Sequence, residues 1–117
     1  MRHHNNNRKF GRPTNQRRAL LRSLAENLIL HGHLTTTEAR AKEVQKFVEK
    51  LITIARPADL ASRRQLIKRL GRPTQVKRLV NEIAPRYKER PGGYTRVIKL
   101  PRRPSDGSRM AIISLLE

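Results

Sequence analysis

The sequence contains no cysteine and no tryptophan, only two Phe and two Tyr, and nine acidic residues against 27 basic ones. Each shortage removes a class of function. Without Cys there is neither a disulfide framework nor a thiolate metal site, a composition that fits a reducing compartment. Four aromatics cannot line a single-strand platform, which needs several exposed rings in series. They are also too few to anchor a basic helix on a membrane surface. No apolar run exceeds a few residues, against the ~18 that suggest a membrane span, and the opening residues lack the apolar segment of a signal peptide.

What the chain does have is positive charge. A formal net charge of +18 makes the folded chain repel itself unless a polyanion supplies the counter-charge, so nucleic acid is the expected partner and a small-molecule substrate is not. Leu, Ile, Val and Phe make up 29 of 117 residues, above the roughly 20% below which a highly charged chain stays disordered. The length suits one domain with a modest core.

The expected fold is α+β: about four helices packed on a small mixed sheet of two to three strands, preceded by an extended basic N-terminal arm; the helices and two of the strands are read from apolar spacing. The arm covers residues 1–14 and the globular domain 15–117. Asn15 is positioned to cap a first helix closed by Gly32, with Leu20, Leu21, Leu24, Ala25 and Leu28 on one face and Arg18 and Arg22 off it. Thr35 and Glu38 have capping-box spacing ahead of the most regular stripe: Ala41, Val44, Phe47, Val48, Leu51, Ile52 and Ala55. A third helix is expected from an Asp59 cap to Leu70, with Leu66, Ile67 and Leu70 inward and Arg63, Arg64, Lys68 and Arg69 outward. A fourth runs from a Thr74 cap to Pro85. Residues 94–100 and 111–116 then change period and read as strands.

Functional candidates follow from charge. Outward Lys and Arg can neutralise phosphate and release counterions; Arg17, Arg18 and Arg22 on the first helix and Arg102 and Arg103 in the loop between the strands belong to this set. Recognition by shape and phosphate is expected. The His3–His4 and His31/His33 pairs do not converge as metal ligands, and no carboxylate or nucleophile with a placed base can be assembled into a catalytic set. Neither a metal, a cofactor nor an enzymatic activity is expected. Tyr87 reads as a core-edge residue with its hydroxyl at water, while Tyr94 is open between that role and stacking on a base. The rival reading is a DNA-binding helix-turn-helix over residues 59–84, with Gln75, Lys77, Arg78 and Asn81 on the recognition helix.

Several stretches, in order, resemble one family: the opening MRH, then RKFGR, TTTEARAKEV, KLITIA, IAPRYKERPGGYTRVIKL and the closing MAIISLL. Over essentially its full length the chain is similar to bacterial large-subunit ribosomal protein L17. That resemblance implies helices on a three-stranded sheet and an extended N-terminus entering large-subunit rRNA. It implies a monomer within the cytoplasmic ribosome, beside other large-subunit proteins on the solvent side near the polypeptide exit. Carried over by position, Arg2, His3, Arg8, Lys9 and Arg12 contact RNA from the opening motif, Arg40 and Lys42 from the TTTEARAK stretch, and Arg86, Arg90, Tyr94 and Arg96 from the IAPRY to GGYTR segment. The chain departs from the family pattern at His4, at 5–7, where more Arg, Lys or Ser is usual, at Pro13 and at 72–74.

Overall fold

Thr37 and Asp59 each precede a periodic apolar run, and each caps a helix in the computed structural model, which describes residues 14–116. Helix α1 covers Thr14–His31 and ends at Gly32, whose left-handed backbone (φ 82°) lets its N–H reach the Leu28 carbonyl at 2.7 Å. Strand β1 is His33–Thr37. Helix α2, Glu38–Ala55, begins where Thr37 Oγ1 accepts from the Arg40 N–H at 3.4 Å. The Thr35 capping box does not form, because the strand runs on through Thr37, opposite Met110, and the helix begins only at Glu38.

Helix α3, Leu60–Leu70, starts on the Asp59 carboxylate, which accepts from the Ser62 N–H at 2.7 Å. Gly71 (φ 80°) closes it with an N–H bond to the Ile67 carbonyl. Ile67, expected inward, is 42% exposed: Leu66 and Leu70 face α2, and Ile67 stands one residue off that line. Helix α4, Pro73–Arg78, has Arg72 rather than Thr74 at its N-cap, with Pro73 at the first helical position and no side-chain cap.

The chain does not stop at Pro85. A wide turn over Leu79–Ile83, with the Ala84 N–H bonded to the Leu79 carbonyl five residues back, leads into a 3₁₀ turn over Ala84–Tyr87. Proline lacks the N–H that an α-turn needs and its ring meets the carbonyl four residues back; widening the preceding turn relieves both constraints.

Strands β2 (Thr95–Leu100) and β3 (Met110–Leu115) complete a sheet in the order β1-β3-β2. Both pairings are antiparallel, so the mixed pairing expected of these strands does not occur. Side-chain alternation sends Leu34, Thr36, Thr95, Val97, Ala111, Ile113 and Leu115 to one face, against α2, while Ile98 and Ile112 pair on the other. Helix α2 sits at the centre. Its Ala41, Val44, Val48, Leu51, Ile52 and Ala55 are fully buried, and it packs on α1, α3 and the sheet. Glu49, on the sheet side of α2, accepts from Thr95 Oγ1 at 2.9 Å.

One cap and two surface ion pairs carry charge, so stability is linked to pH. Asp59 is held below the ordinary carboxylate value by the Ser62 backbone N–H it accepts, Glu38 by the bond from Lys42, and Asp106 well below it by Arg103. A carboxyl whose folded pKa is depressed contributes stability that is present above its unfolded pKa and lost as pH falls through the folded value. The melting temperature is therefore expected to hold near neutrality and to fall progressively below about pH 4. Asp59→Asn, which keeps a capping oxygen but cannot titrate, should shallow that fall; an identical acid limb would show that Asp59 does not contribute.

Candidate nucleic-acid interface

Four cations from two helices meet in one place. Arg18 and Arg22 are one turn apart on α1, and Lys68 and Arg69 lie in the last turn of α3. Arg22 Nη2 donates to the Lys68 carbonyl at 3.3 Å, one of the unpaired acceptors at a helix C-terminus, and this fastens α1 to α3. The four side chains rim a cleft of about 570 Å³ floored by Leu21 and Phe47. None of them takes part in an ion pair among the described residues. Glu26, one turn beyond Arg22 on α1, pairs instead with Arg72 at 3.5 Å.

A second cleft, of about 620 Å³, lies where the end of α1 meets β3 and residues 78–86. Arg78, Arg86, Arg96, His31 and His33 line it. Arg78 is committed: Nε donates to the Ile29 carbonyl at 2.9 Å and Nη1 pairs with Glu82 at 3.1 Å. Arg86 and Arg96 are exposed and have no ion-pair partner among the described residues.

The remaining sequence candidates divide. Arg2, His3, Arg8, Lys9 and Arg12 lie outside the described residues. Arg17 is half-buried on α1 and Arg40 half-buried on α2. Lys42 pairs with Glu38 at 3.1 Å, and Glu38 also meets Lys99 at 3.7 Å, so one carboxylate is shared by two cations. Arg90 is exposed and donates to the Gly93 carbonyl at 3.4 Å. Arg102 is exposed. Arg103 is held inside its own loop by two bonds to the Asp106 carboxylate (2.9 and 2.7 Å) and one to Ser108 Oγ, and this contact raises its pKa.

Tyr94 is corrected by the structure. Its side chain is 0% exposed and presents no ring face to a base. Arg56 Nη1 donates to its hydroxyl at 3.3 Å; Thr53 Oγ1, 3.2 Å away, already donates to the Glu49 carbonyl, so the Tyr94 O–H donates to Thr53. Tyr87 also lies inside, 5.2 Å from Tyr94 ring to ring, with its hydroxyl donating to the Leu116 carbonyl rather than to water. Tyr94→Phe is thus expected to cost about 1 kcal/mol of stability and to leave RNA affinity unchanged. Weaker RNA binding at an unchanged melting temperature would return the ring to the interface.

The helix-turn-helix rival loses its recognition surface. Arg78 is tied to Ile29 and Glu82, Asn81 accepts from Arg63 at 3.2 Å, and the helical path after Arg78 changes to a wide turn and then a 3₁₀ turn instead of continuing as one regular α-helix. Among the described residues no three His, Asp or Glu are grouped as metal ligands, and no helix is long and apolar enough to cross a membrane.

Comparison with known proteins agrees with the residues. The family model for ribosomal protein L17 matches residues 20–116. The chain is 51% identical over 109 residues to the large ribosomal subunit protein bL17 of Caldanaerobacter subterraneus subsp. tengcongensis, covering 93% of this chain and 97% of that one. It is 50% identical to the protein of the same name from Thermoanaerobacter pseudethanolicus, with the same coverage. Against that of Clostridium botulinum it is 49% identical over 93% of this chain and 96% of the relative.

Proposed function

The chain belongs to the ribosomal protein L17 family, and from that premise we propose that it is a structural constituent of the large ribosomal subunit that binds and stabilises folded large-subunit rRNA. It is a structural component and not an enzyme. The observation that carries RNA binding is the pair of cation-lined clefts: Arg18, Arg22, Lys68 and Arg69 at one, Arg86 and Arg96 at the other, with no carboxylate of the described residues paired to any of the six. Holding like charges together without acids costs self-repulsion in the free protein, and phosphate removes that cost on binding. The two clefts lie on different parts of one packed domain, which suits a protein that braces RNA segments against each other.

In this reading Arg17, Arg40, Lys42, Arg90 and Arg102 extend the phosphate contacts, Arg103 orders the β2–β3 loop, and Arg2, His3, Arg8, Lys9 and Arg12 form a basic arm on the domain of residues 15–117. The protein acts as a monomer in the cytoplasmic ribosome, beside other large-subunit proteins on the solvent side near the polypeptide exit.

The test is sedimentation of the tagged protein from cell lysate through a high-salt gradient. Co-migration with large subunits is expected. Recovery as free protein, or with chromosomal DNA, would overturn the reading.

A further inference from the structure

Phosphate neutralisation accounts for the cations of the α1–α3 cleft but not for its floor. A cluster of Arg and Lys meant only for phosphate needs no apolar surface beside it, yet Leu21 and Phe47, half-buried where they pack on the core, leave part of their surface lining this cleft with Arg18, Arg22, Lys68 and Arg69. We propose that this cleft receives one unpaired nucleotide splayed out of the rRNA, its base against Phe47 and Leu21 and its flanking phosphates on Arg18, Lys68 and Arg69. This rests on the rRNA-binding reading and adds to it a site that discriminates single-stranded from double-stranded RNA.

Three observations select this occupant. The cleft, at about 570 Å³ and open to solvent, has room for one base and lines it with an aromatic ring, Phe47, beside four cations. An RNA duplex keeps its base faces stacked inside and offers only phosphate, sugar and groove edges, so it gains nothing from an apolar floor, whereas an unstacked base gains a ring contact. Charge excludes the protein alternatives within this chain: residues 1–13 carry Arg2, Arg8, Lys9 and Arg12 with no acid, and a second copy carries +18, so both are repelled by the rim.

A hydrogen bond ties the two walls of the cleft together: Arg22 Nη2 donates to the Lys68 carbonyl and joins α1 to α3. Gln65, one turn before Arg69 on α3, lines the same cleft with an amide able both to donate to and to accept from a base edge. Base stacking on a single aromatic tolerates any base, so Gln65 is the residue placed to give a preference.

The experiment uses the full chain with two probes: a mixed-sequence single-stranded RNA with thiouridine in place of uridine, and a mixed-sequence RNA duplex. Irradiation of the single-strand complex should give adducts on peptides containing Phe47, Leu21 or Gln65. Phe47→Leu, which keeps an apolar side chain but removes the ring, should weaken single-strand binding roughly five- to hundredfold, the range of one base–aromatic stack, with the salt slope and duplex affinity unchanged. Lys68→Gln with Arg69→Gln, both exposed and harmless to the core, should instead lower the single-strand salt slope by about 1.4. If Phe47→Leu does not melt as wild type, the position of the adducts carries the test, since the double variant reads the phosphate contacts alone. Adducts confined to peptides outside the cleft, with both variants binding single strands as wild type does, would overturn the nucleotide site and leave rRNA binding standing. Failure of the wild type to bind either RNA would overturn both.

Discussion

Val48→Asp is expected to abolish cooperative folding. Val48 is fully buried at the middle of α2, the helix that contacts α1, α3 and the sheet. Replacing it forfeits about 1.5–3 kcal/mol of apolar burial. It also leaves a carboxylate in a site lined by Val44, Leu51 and Ile52, and an unpaired buried charge costs several kcal/mol even after relaxation. Together these approach the whole stability of a small domain, about 5–15 kcal/mol. Adding an acid to a chain of net charge +18 relieves overall self-repulsion, so any loss of folding must come from the core. The control is Lys50→Asp, a larger charge change on the solvent side of the same helix, where Lys50 is exposed; it should melt within a few degrees of wild type. Circular dichroism melts of the three proteins decide the matter. A cooperative transition for Val48→Asp would mean that the most regular apolar stripe in the sequence does not face the core.

The contrast between Val48 and its neighbours shows what the sequence makes legible. Spacing of three and four along α2 locates its buried face residue by residue, because a helix that packs on three elements has few ways to present one stripe. The Asp59 cap and the Gly32 and Gly71 stops were equally legible, each being a local chemical requirement. What spacing could not supply was competition between elements. Thr35 and Thr37 are both able to cap, and the choice falls on Thr37 because the strand paired with β3 extends to it and the helix can start only after it. Pro85 reads as a stop by the ordinary rule, but the preceding turn widens and the chain passes through it. Tyr94 is ambiguous as a sequence position; burial under Arg56 and Thr53 resolves it only once β2 is placed beside α2.

The site followed the same division. Every cation of the α1–α3 cleft is visible as an outward residue of its own helix, yet Lys68 and Arg69 were not among the expected RNA contacts, and nothing in the sequence says that they face Arg18 and Arg22 across Leu21 and Phe47. That grouping is a product of helix packing. The opposite error concerns Arg103, whose charge counts toward the basic total while its guanidinium is bound to Asp106; the Arg-Pro-Ser-Asp-Gly spacing of residues 103–107 is the signal that an internal loop contact was available.

Replacing Arg2, Arg8, Lys9 and Arg12 together by Gln should flatten the salt dependence of rRNA binding by roughly 3, since each phosphate contact contributes about 0.7 to 0.9 to the slope of log affinity against log salt. At low salt this amounts to a loss of several hundredfold or more, spread over rRNA fragments generally, because phosphate contacts position a protein without reading sequence. Stability should not follow affinity. The apolar stripes begin at Leu20 and the buried cluster draws on Ala25 and residues beyond it, so the free variant should melt at the wild-type temperature or slightly above it as self-repulsion falls. The same reasoning predicts that deleting residues 2–12 leaves the cooperative melt in place. A helix-turn-helix protein would behave differently: its preference for one duplex DNA sequence would survive the change, since its specificity would reside on Lys77, Arg78 and Asn81. Affinity is measured against salt for both proteins, on a large-subunit rRNA fragment and on duplex DNA. An unchanged rRNA slope would remove the arm from the RNA-binding surface and leave the two clefts of the folded domain to carry the whole interaction.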